Sequence, residues 1–406
     1  MKNIVLYITF LSSVLISCDN FNSDLKISIK NNTEINLIDY PVYLEYKKLN
    51  RIKILFPDDN ICVLSDNIAV PSQTIIRKNK KNLLVLVDLK PYETKSLKLK
   101  KGTCANTEWN KRTHAELSHK INGKFVDGKY QGGETYVSVD SIRVPDEVTD
   151  QSFYFKFEGP GWESDKVAYR FYLDWRNAVD VFGKISKDMV LPQVGLNDDD
   201  SYHILSNWGM DILKVGNSLG IGSIATWTGK KAERVSQTDS IICTIENDGD
   251  LFSEIRTRYY NWQNVNGNVN LDSRLFITAG SRITKNEISI EGTINNIATG
   301  IVKQNLPIIK GTADTEWGYI ATWGKQSLNN DNLGLVIFFK NKHAIEITED
   351  EYNYVVVLEP EKDNEVKYYF AAVWEKENGK IITKEDFINY INNSLDFLNK
   401  PVDIIW

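Results

Sequence analysis

The sequence predicts an all-β protein: a large antiparallel domain of many strands, preceded by a small β-sandwich and closed by one short C-terminal helix. Three observations carry this expectation. Short runs of period-2 alternation bounded by turn residues recur along the chain, whereas long stretches of helical period are scarce. Aromatic residues are plentiful, with 19 Tyr and 10 Trp against only 10 Pro, a composition of packed sheets rather than of disorder. At 406 residues the chain is long enough for a large sandwich with an accessory module. The formal net charge of −6 argues against a nucleic-acid partner, which calls for a basic surface.

Residues 1–17 read as a lipoprotein signal peptide. Lys2 gives the positive start, residues 4–16 form a short apolar run, and Leu15-Ile16-Ser17-Cys18 resembles a bacterial lipobox. The run is too short for a comfortable membrane-spanning helix. Lipidation of Cys18 is therefore expected, with the body held at the bacterial cell envelope by acyl chains alone. Residues 18–24 form a polar tether. Residues 25–100 carry the short β runs LKISIKN, PVYLEYK, NIAVPSQTI and NLLVLVDLKPYETKSLKL, spaced as in a small immunoglobulin-like sandwich and free of candidate chemistry.

Lys100-Lys101-Gly102 is the expected joint, and residues 101–406 form the large domain. Strands are expected there at 135–139, 152–158, 167–175, 221–227, 251–260, 274–277, 287–293, 334–339 and 352–358. One short echo, GSIATW at 222–227 against GYIATW at 318–323, suggests equivalent positions in paired sheets, although no fixed repeat extends it. The chain closes with a helix opened by a variant capping box, Thr383 with Asp386. Its apolar stripe of Phe387, Ile388, Tyr390, Ile391, Leu395 and Leu398 suits docking on the sandwich. After Cys18 three cysteines remain, Cys62, Cys104 and Cys243. They allow one disulfide or buried free thiols, and their spacing fits no structural zinc site.

The densest site-like run is FYFKFEGPGWESDKVAYRFYLDWRNAVDVFG at 153–183. Phe153, Phe155 and Phe157 would share one core-facing side of a first strand, and Val167, Tyr169, Phe171, Leu173 and Trp175 that of a second. The opposite face of the second strand carries Arg170, Tyr172, Asp174 and Arg176, a row of cations, phenol and carboxylate suited to a polyhydroxylated anion. Around the Gly/Pro corner, Glu158, Glu163 and Asp165 supply acceptors and Trp162 a stacking ring.

A second polar cluster runs through Asp198, Asp199, Asp200, Ser201, Tyr202 and His203 to Trp208 and Asp211. The three aspartates could hold a calcium ion, though they lack the alternating spacing of an EF-hand loop, and no other cofactor is expected. His203 is a candidate proton-transfer group. His114 and His119 flank Glu116 but lack the HEXXH order and would face opposite sides of a strand. Nucleophile-elbow, P-loop and dinucleotide fingerprints are absent, which removes the corresponding hydrolase and nucleotide classes.

The runs YVSVD and RVP at 136–145, EGPGWESD at 158–165, YRFYLDWRN at 169–177, SYH at 201–203 and WGMDILKVG at 208–216 resemble domain-of-unknown-function family 4861. The resemblance implies a secreted or lipid-anchored protein of glycan-degrading bacteria, with a galactose-mutarotase-like β-supersandwich behind the small module. It also implies an acidic, uronate-containing polysaccharide as substrate class, and it assigns no catalytic residue. Combined with the residues, it points to β-elimination: Arg170 and Arg176 neutralise the uronate carboxylate while Tyr172, Tyr202 or His203 move protons. The alternatives are a hydrolase or epimerase using Glu158 or Glu163 with Asp174 or His203, and a glycan-binding lipoprotein that stacks sugar on Trp162, Trp175 and Trp208.

Overall fold

The computed structural model describes residues 24–49, 61–104, 109–133, 135–196, 201–311 and 315–406. The signal-peptide segment with Cys18 and the candidate calcium ligands Asp198, Asp199 and Asp200 lie outside the described residues. The fold is a large antiparallel β-supersandwich behind a small β-sandwich, with a C-terminal helix.

In the small sandwich, a five-stranded sheet runs Asp403–Ile405, Leu25–Lys30, Thr94–Lys101, Ile61–Ser65 and Ile68–Ala69. It faces a three-stranded sheet of Leu37–Glu45, Lys80–Leu89 and Ser72–Arg77. Alternation delivers the core: Ile27 and Ile29 from one strand, Leu97 and Leu99 from its neighbour, and Leu83, Val85 and Val87 from the facing sheet. The outer side of the three-stranded sheet, through Ile75, Leu84 and Leu86, packs on Leu251, Phe252 and Phe276 of the large body. One strand of the module comes from the far end of the chain, because Asp403–Ile405 pairs with Ser28, Ile29 and Lys30. Cys62 and Cys104 form a disulfide, and Cys243 is a buried free thiol.

The large body sets a nine-stranded sheet against two five-stranded ones. The nine strands run Ser141–Arg143, Ser240–Asp248, Phe252–Asn264, Gly267–Thr278, Ile283–Glu291, Glu365–Trp374, Asn332–Lys340, Trp317–Lys325 and Ile309–Gly311. The first facing sheet runs Gly209–Asp211, Val179–Lys184, Val167–Phe171, Gly161–Ser164 and Thr113–Glu116. The second runs Ala232–Arg234, Ala225–Trp227, Ile297–Val302, Asn353–Leu358 and Ala344–Glu349. Isolated bridges from Val179 to Gly220 and from Ile221 to Ile301 stitch these two together. The two echoing segments fall in facing sheets, one in Ala225–Trp227 and the other in Trp317–Lys325.

Inward-pointing residues of both layers build one continuous core, including Trp162, Tyr169, Val181, Ile255, Tyr259, Ile337, Phe370 and Trp374. Gly183 shows how close the layers come, since a Cβ there would stand 2.4 Å from the Trp374 ring. The helix Lys384–Asn399 begins with the expected reciprocal capping box between Thr383 and Asp386. Its Phe387 and Ile391 pack on Trp317, Val336 and Phe338 on the outside of the nine-stranded sheet.

Two expected strands need correction. Residues 152–158 are not extended: Phe153, Phe157 and Glu158 have φ of 58°, 39° and 72°, and Lys156–Glu158 is a 3-10 turn. The phenylalanines therefore diverge, Phe155 into the main core and Phe157 into a separate cluster with Phe182. The strand expected at 167–175 stops at Phe171, the chain turns, and Trp175 is left 46% exposed instead of entering the core. Alternation of apolar residues continued past the last paired residue, so it gave no sign of the end.

Candidate functional site: the Arg170 cluster

Val167–Phe171 and Val179–Lys184 form a hairpin in which Arg170 stands directly opposite Asp180, both on the face turned away from the main core. On the next strand Asp211 pairs with Phe182, two residues along from Asp180, so its carboxylate reaches the same guanidinium. Arg170 donates through Nε and Nη2 to Asp180 Oδ2 at 3.0 and 2.6 Å, and through Nη2 to Asp211 Oδ2 at 2.5 Å. The Tyr172 hydroxyl accepts from Nη2 at 3.1 Å and itself donates to Asp180 Oδ2, while Nη1 reaches the Tyr202 hydroxyl at 3.2 Å. Glu158 Oε2 stands 3.7 Å from Nη1.

The face that carries this hub is neither an open trough nor a solvated surface. The chain after Lys184 folds back over it: Val190, Leu191 and Val194 pack with Phe157, Ala168 and Phe182, and Tyr202 and Trp208 rest against them. Arg170 is therefore 3% exposed, and Asp180 and Asp211 are each 1% exposed. A charge so enclosed is stable only when paired and hydrogen-bonded. At the rim, the 3-10 turn Ser201–His203 places His203 Nε2 3.1 Å from Asp211 Oδ2 with its side chain 38% exposed. Its ring centroid lies 4.6 Å from that of Tyr202.

The second guanidinium, Arg176, lies 3.9 Å from the Tyr172 ring centroid and pairs with Asp174 at 2.5 Å, Glu158 at 2.6 Å and Asp150 at 3.0 Å. Glu158 thus joins the two arginines. Burial works to raise its carboxyl, but Arg170 and Arg176 outweigh burial and hold it below its ordinary value. Asp180 goes the other way, pushed up to about 6 by burial and by neighbouring Asp211 against the pull of Arg170. Burial also raises the Tyr202 phenol, with Arg170 opposing. The cluster therefore combines an ionised carboxylate, a protonated phenol and an imidazole on a buried aspartate, a set able to give and to accept protons.

A family model described as Domain of unknown function (DUF4861) matches residues 29–404. The chain belongs to this family. An "Uncharacterized protein P7" of Formosa agariphila is 23% identical over 320 residues, covering 71% of this chain and 76% of that protein. Among solved structures, a protein in Glycosyl Hydrolase Family 38 from Enterococcus faecalis aligns with a TM-score of 0.47 at 8% identity, over 94% of this chain and 47% of that one. An α-mannosidase from the same species gives 0.46 at 9%, over 93% and 45%. The chain thus spans about half the length of those two structures.

Of the residues singled out in this DUF4861 chain, Arg170, Tyr172, Tyr202, His203, Asp211, Arg176, Glu158 and Asp174 meet in one cluster. Trp162, Glu163, Asp165 and Trp208 do not join it. Trp162 is fully buried, stacked on Tyr169 with Nε1 donating to Thr284 Oγ1, and cannot receive a sugar. Glu163 is equally buried, neutralised by Lys184 at 2.5 Å and accepting from the Val190 and Leu191 amides, so it anchors the overlying segment. Asp165 ties the two sandwiches together by accepting from Arg112, which also grips Asp39, and from the Gly280 amide. Trp208 is half-buried against Phe182. The corrections at Trp162, Glu163 and Asp165 share a cause, because Gly161–Ser164 is a buried inner strand of its sheet rather than an exposed corner loop.

The arginines, too, are already compensated: Asp150, Glu158, Asp174, Asp180 and Asp211 surround two guanidiniums. Sequence reasoning missed Asp180 as a member of the hub. The available signal was symmetry, since Arg170 and Asp180 are equidistant from Trp175 at the turn of a hairpin. His114 and His119 share no partner, His114 meeting Asp248 and Glu116 and His119 bonding the Lys120 carbonyl.

Proposed function

We propose that this chain is a lipid-anchored, carbohydrate-active protein of the bacterial cell envelope that performs a lyase-type β-elimination on a uronate-containing glycan at the rim of the Arg170 cluster. The observation that carries the reading is the His203 imidazole seated on buried Asp211, beside the Tyr202 phenol that rests on Arg170. His203, oriented by Asp211, takes the proton α to the sugar carboxyl. Tyr202, kept protonated by burial, gives its proton to the departing oxygen as the C–O bond breaks, leaving an unsaturated uronate and a free hydroxyl end. Arg170 acts behind them as a positioning residue. The guanidinium placed to exchange partners is Arg176, whose Nη1 meets the half-exposed Asp150, so a substrate carboxylate would displace Asp150.

Incubating the protein with pectin, rhamnogalacturonan and alginate while following the absorbance of unsaturated uronate tests this. Turnover is expected, and His203→Ala should lower it by about 10²- to 10⁴-fold with unchanged thermal unfolding. A folded protein silent on every acidic glycan would overturn the proposal. One observation favours a second reading, hydrolysis by Glu158 with His203: five carboxylates around two guanidiniums suit a cationic transition state better than an anionic substrate. Reducing ends released without that absorbance would select it.

A further inference from the structure

Beyond the Arg170 cluster, the large body holds an open cleft of about 840 Å³. It lies beside the turn that carries Trp175, and its other walls come from the Ala232–Arg234 strand, the tip of the Phe252–Asn264 hairpin and the turn at 350–353. A bulge shapes the hairpin wall. Strand pairing skips between Tyr259 and Trp262, so both rings turn inward despite their odd spacing, and Gln263 is left exposed at the edge of the cleft. Trp262 lines the cleft while 99% of its surface is hidden, which gives that wall a rigid aromatic base.

Two lining aromatics remain open, Trp175 at 46% and Tyr352 at 41% exposure. The Trp175 indole is held in place, since the Arg234 guanidinium sits 5.3 Å from its ring and is itself anchored to the Ser218 carbonyl at 3.0 Å. The fixed charges cancel. Lys230, Lys231 and Arg234 stand against Glu233, Asp350 and Glu351, with Lys231 paired to Glu233 at 3.0 Å and Asp350 accepting the Ala232 and Tyr352 amides. A phosphorylated or polyanionic ligand would need uncompensated cations here, and an apolar ligand would leave the exposed amides of Gln237 and Gln263 without partners. An uncharged polyhydroxylated ring satisfies both, because its C–H face stacks on an indole while its hydroxyls bond amides and carboxylates.

We propose that this cleft is a second glycan site that binds neutral sugar residues by stacking on Trp175, apart from the Arg170 cluster and independent of the reaction proposed there. Trp175 and Arg176 are adjacent in the chain, one lining the cleft and the other bonded into the cluster, so both sites share one turn.

Affinity electrophoresis in native gels containing galactan, xylan, mannan or glucan, with polygalacturonate as the acidic comparison, reads binding without turnover. At least one neutral glycan should retard the protein. Trp175→Ala, which removes an exposed ring, should bind about tenfold or more weakly with unchanged melting, Trp175→Phe should recover most of the retardation, and Tyr352→Ala should weaken it in part. Retardation by none of the neutral glycans, retardation by polygalacturonate alone, or a Trp175→Ala variant retarded like the parent would each overturn the assignment. Failure of the elimination assay leaves these outcomes untouched, and their failure leaves that assay untouched.

Discussion

At the scale of single residues, Arg170 sets the behaviour of the site. A guanidinium with 3% exposure between two aspartates is a structural charge as much as a chemical one. Removing it would leave Asp180 and Asp211 buried and adjacent, with the Tyr172 hydroxyl and the His203 imidazole as partners but without the guanidinium between them. Arg170→Ala should therefore cost about 3–5 kcal/mol of folding stability, measured by urea unfolding. A loss under about 1 kcal/mol would mean that water already reaches those carboxylates. This corrects the sequence-based picture of an open Arg face, in which the same substitution would have weakened ligand binding alone. Solvent reaches the cluster instead at its rim, where the His203 side chain is 38% exposed and Tyr202 is half-buried.

At the scale of elements, the Thr113–Glu116 strand is tied to Asp248, at the end of Ser240–Asp248, by the His114 imidazole and the Ala115 amide. His114 Nδ1 meets Asp248 Oδ1 at 2.9 Å and Nε2 meets Glu116 Oε2 at 3.3 Å. Lys111 faces the same aspartate and Lys156 the same glutamate. Burial lowers the His114 pKa, but the two carboxylates outweigh it and raise it to about 9. A folded-state value above the unfolded one of about 6.5 means that native protein binds the extra proton between those limits. The resulting stability is full below about pH 6.5 and lost as pH climbs through about 9. The stability difference between the parent and His114→Gln should accordingly shrink between pH 6.5 and 9.5 in denaturant titrations. A difference independent of pH would show that the imidazole is not charged at neutrality. The C-terminal helix was the element most legible in the sequence, because Thr383, Asp386 and the apolar stripe are local signals. The 152–158 run was the least legible, because left-handed backbone at Phe153, Phe157 and Glu158 leaves no mark in an alternating sequence.

At the scale of the whole molecule, the first and the last of the described strands pair. Asp403–Ile405 completes the small sandwich, Val402 and Ile404 pack on its core, and Asn32 Nδ2 bonds the Pro401 carbonyl. Deleting residues 401–406 should weaken the module locally by roughly 1–2 kcal/mol, seen as about 5- to 30-fold faster amide exchange in Leu25–Lys30. Exchange in Asn332–Lys340, a buried interior strand of the nine-stranded sheet, should not change. Equal acceleration in both would show that the two sandwiches unfold as one unit.

Local alternation was enough to say which side chains share a face: Arg170 opposite Tyr169 and Phe171, Ile27 with Ile29, Phe387 with Ile391. It also carried the family and the abundance of strands. Which faces are covered, and by what, emerged from the packed fold alone. Trp162, expected at a surface corner, is sealed between layers, whereas Trp175, expected inside, lines a cleft, and Asp180 and Asp211 reach Arg170 through strand register. The reason is physical: alternation is a property of neighbouring residues on one strand, but burial is conferred by segments that arrive from elsewhere in the chain.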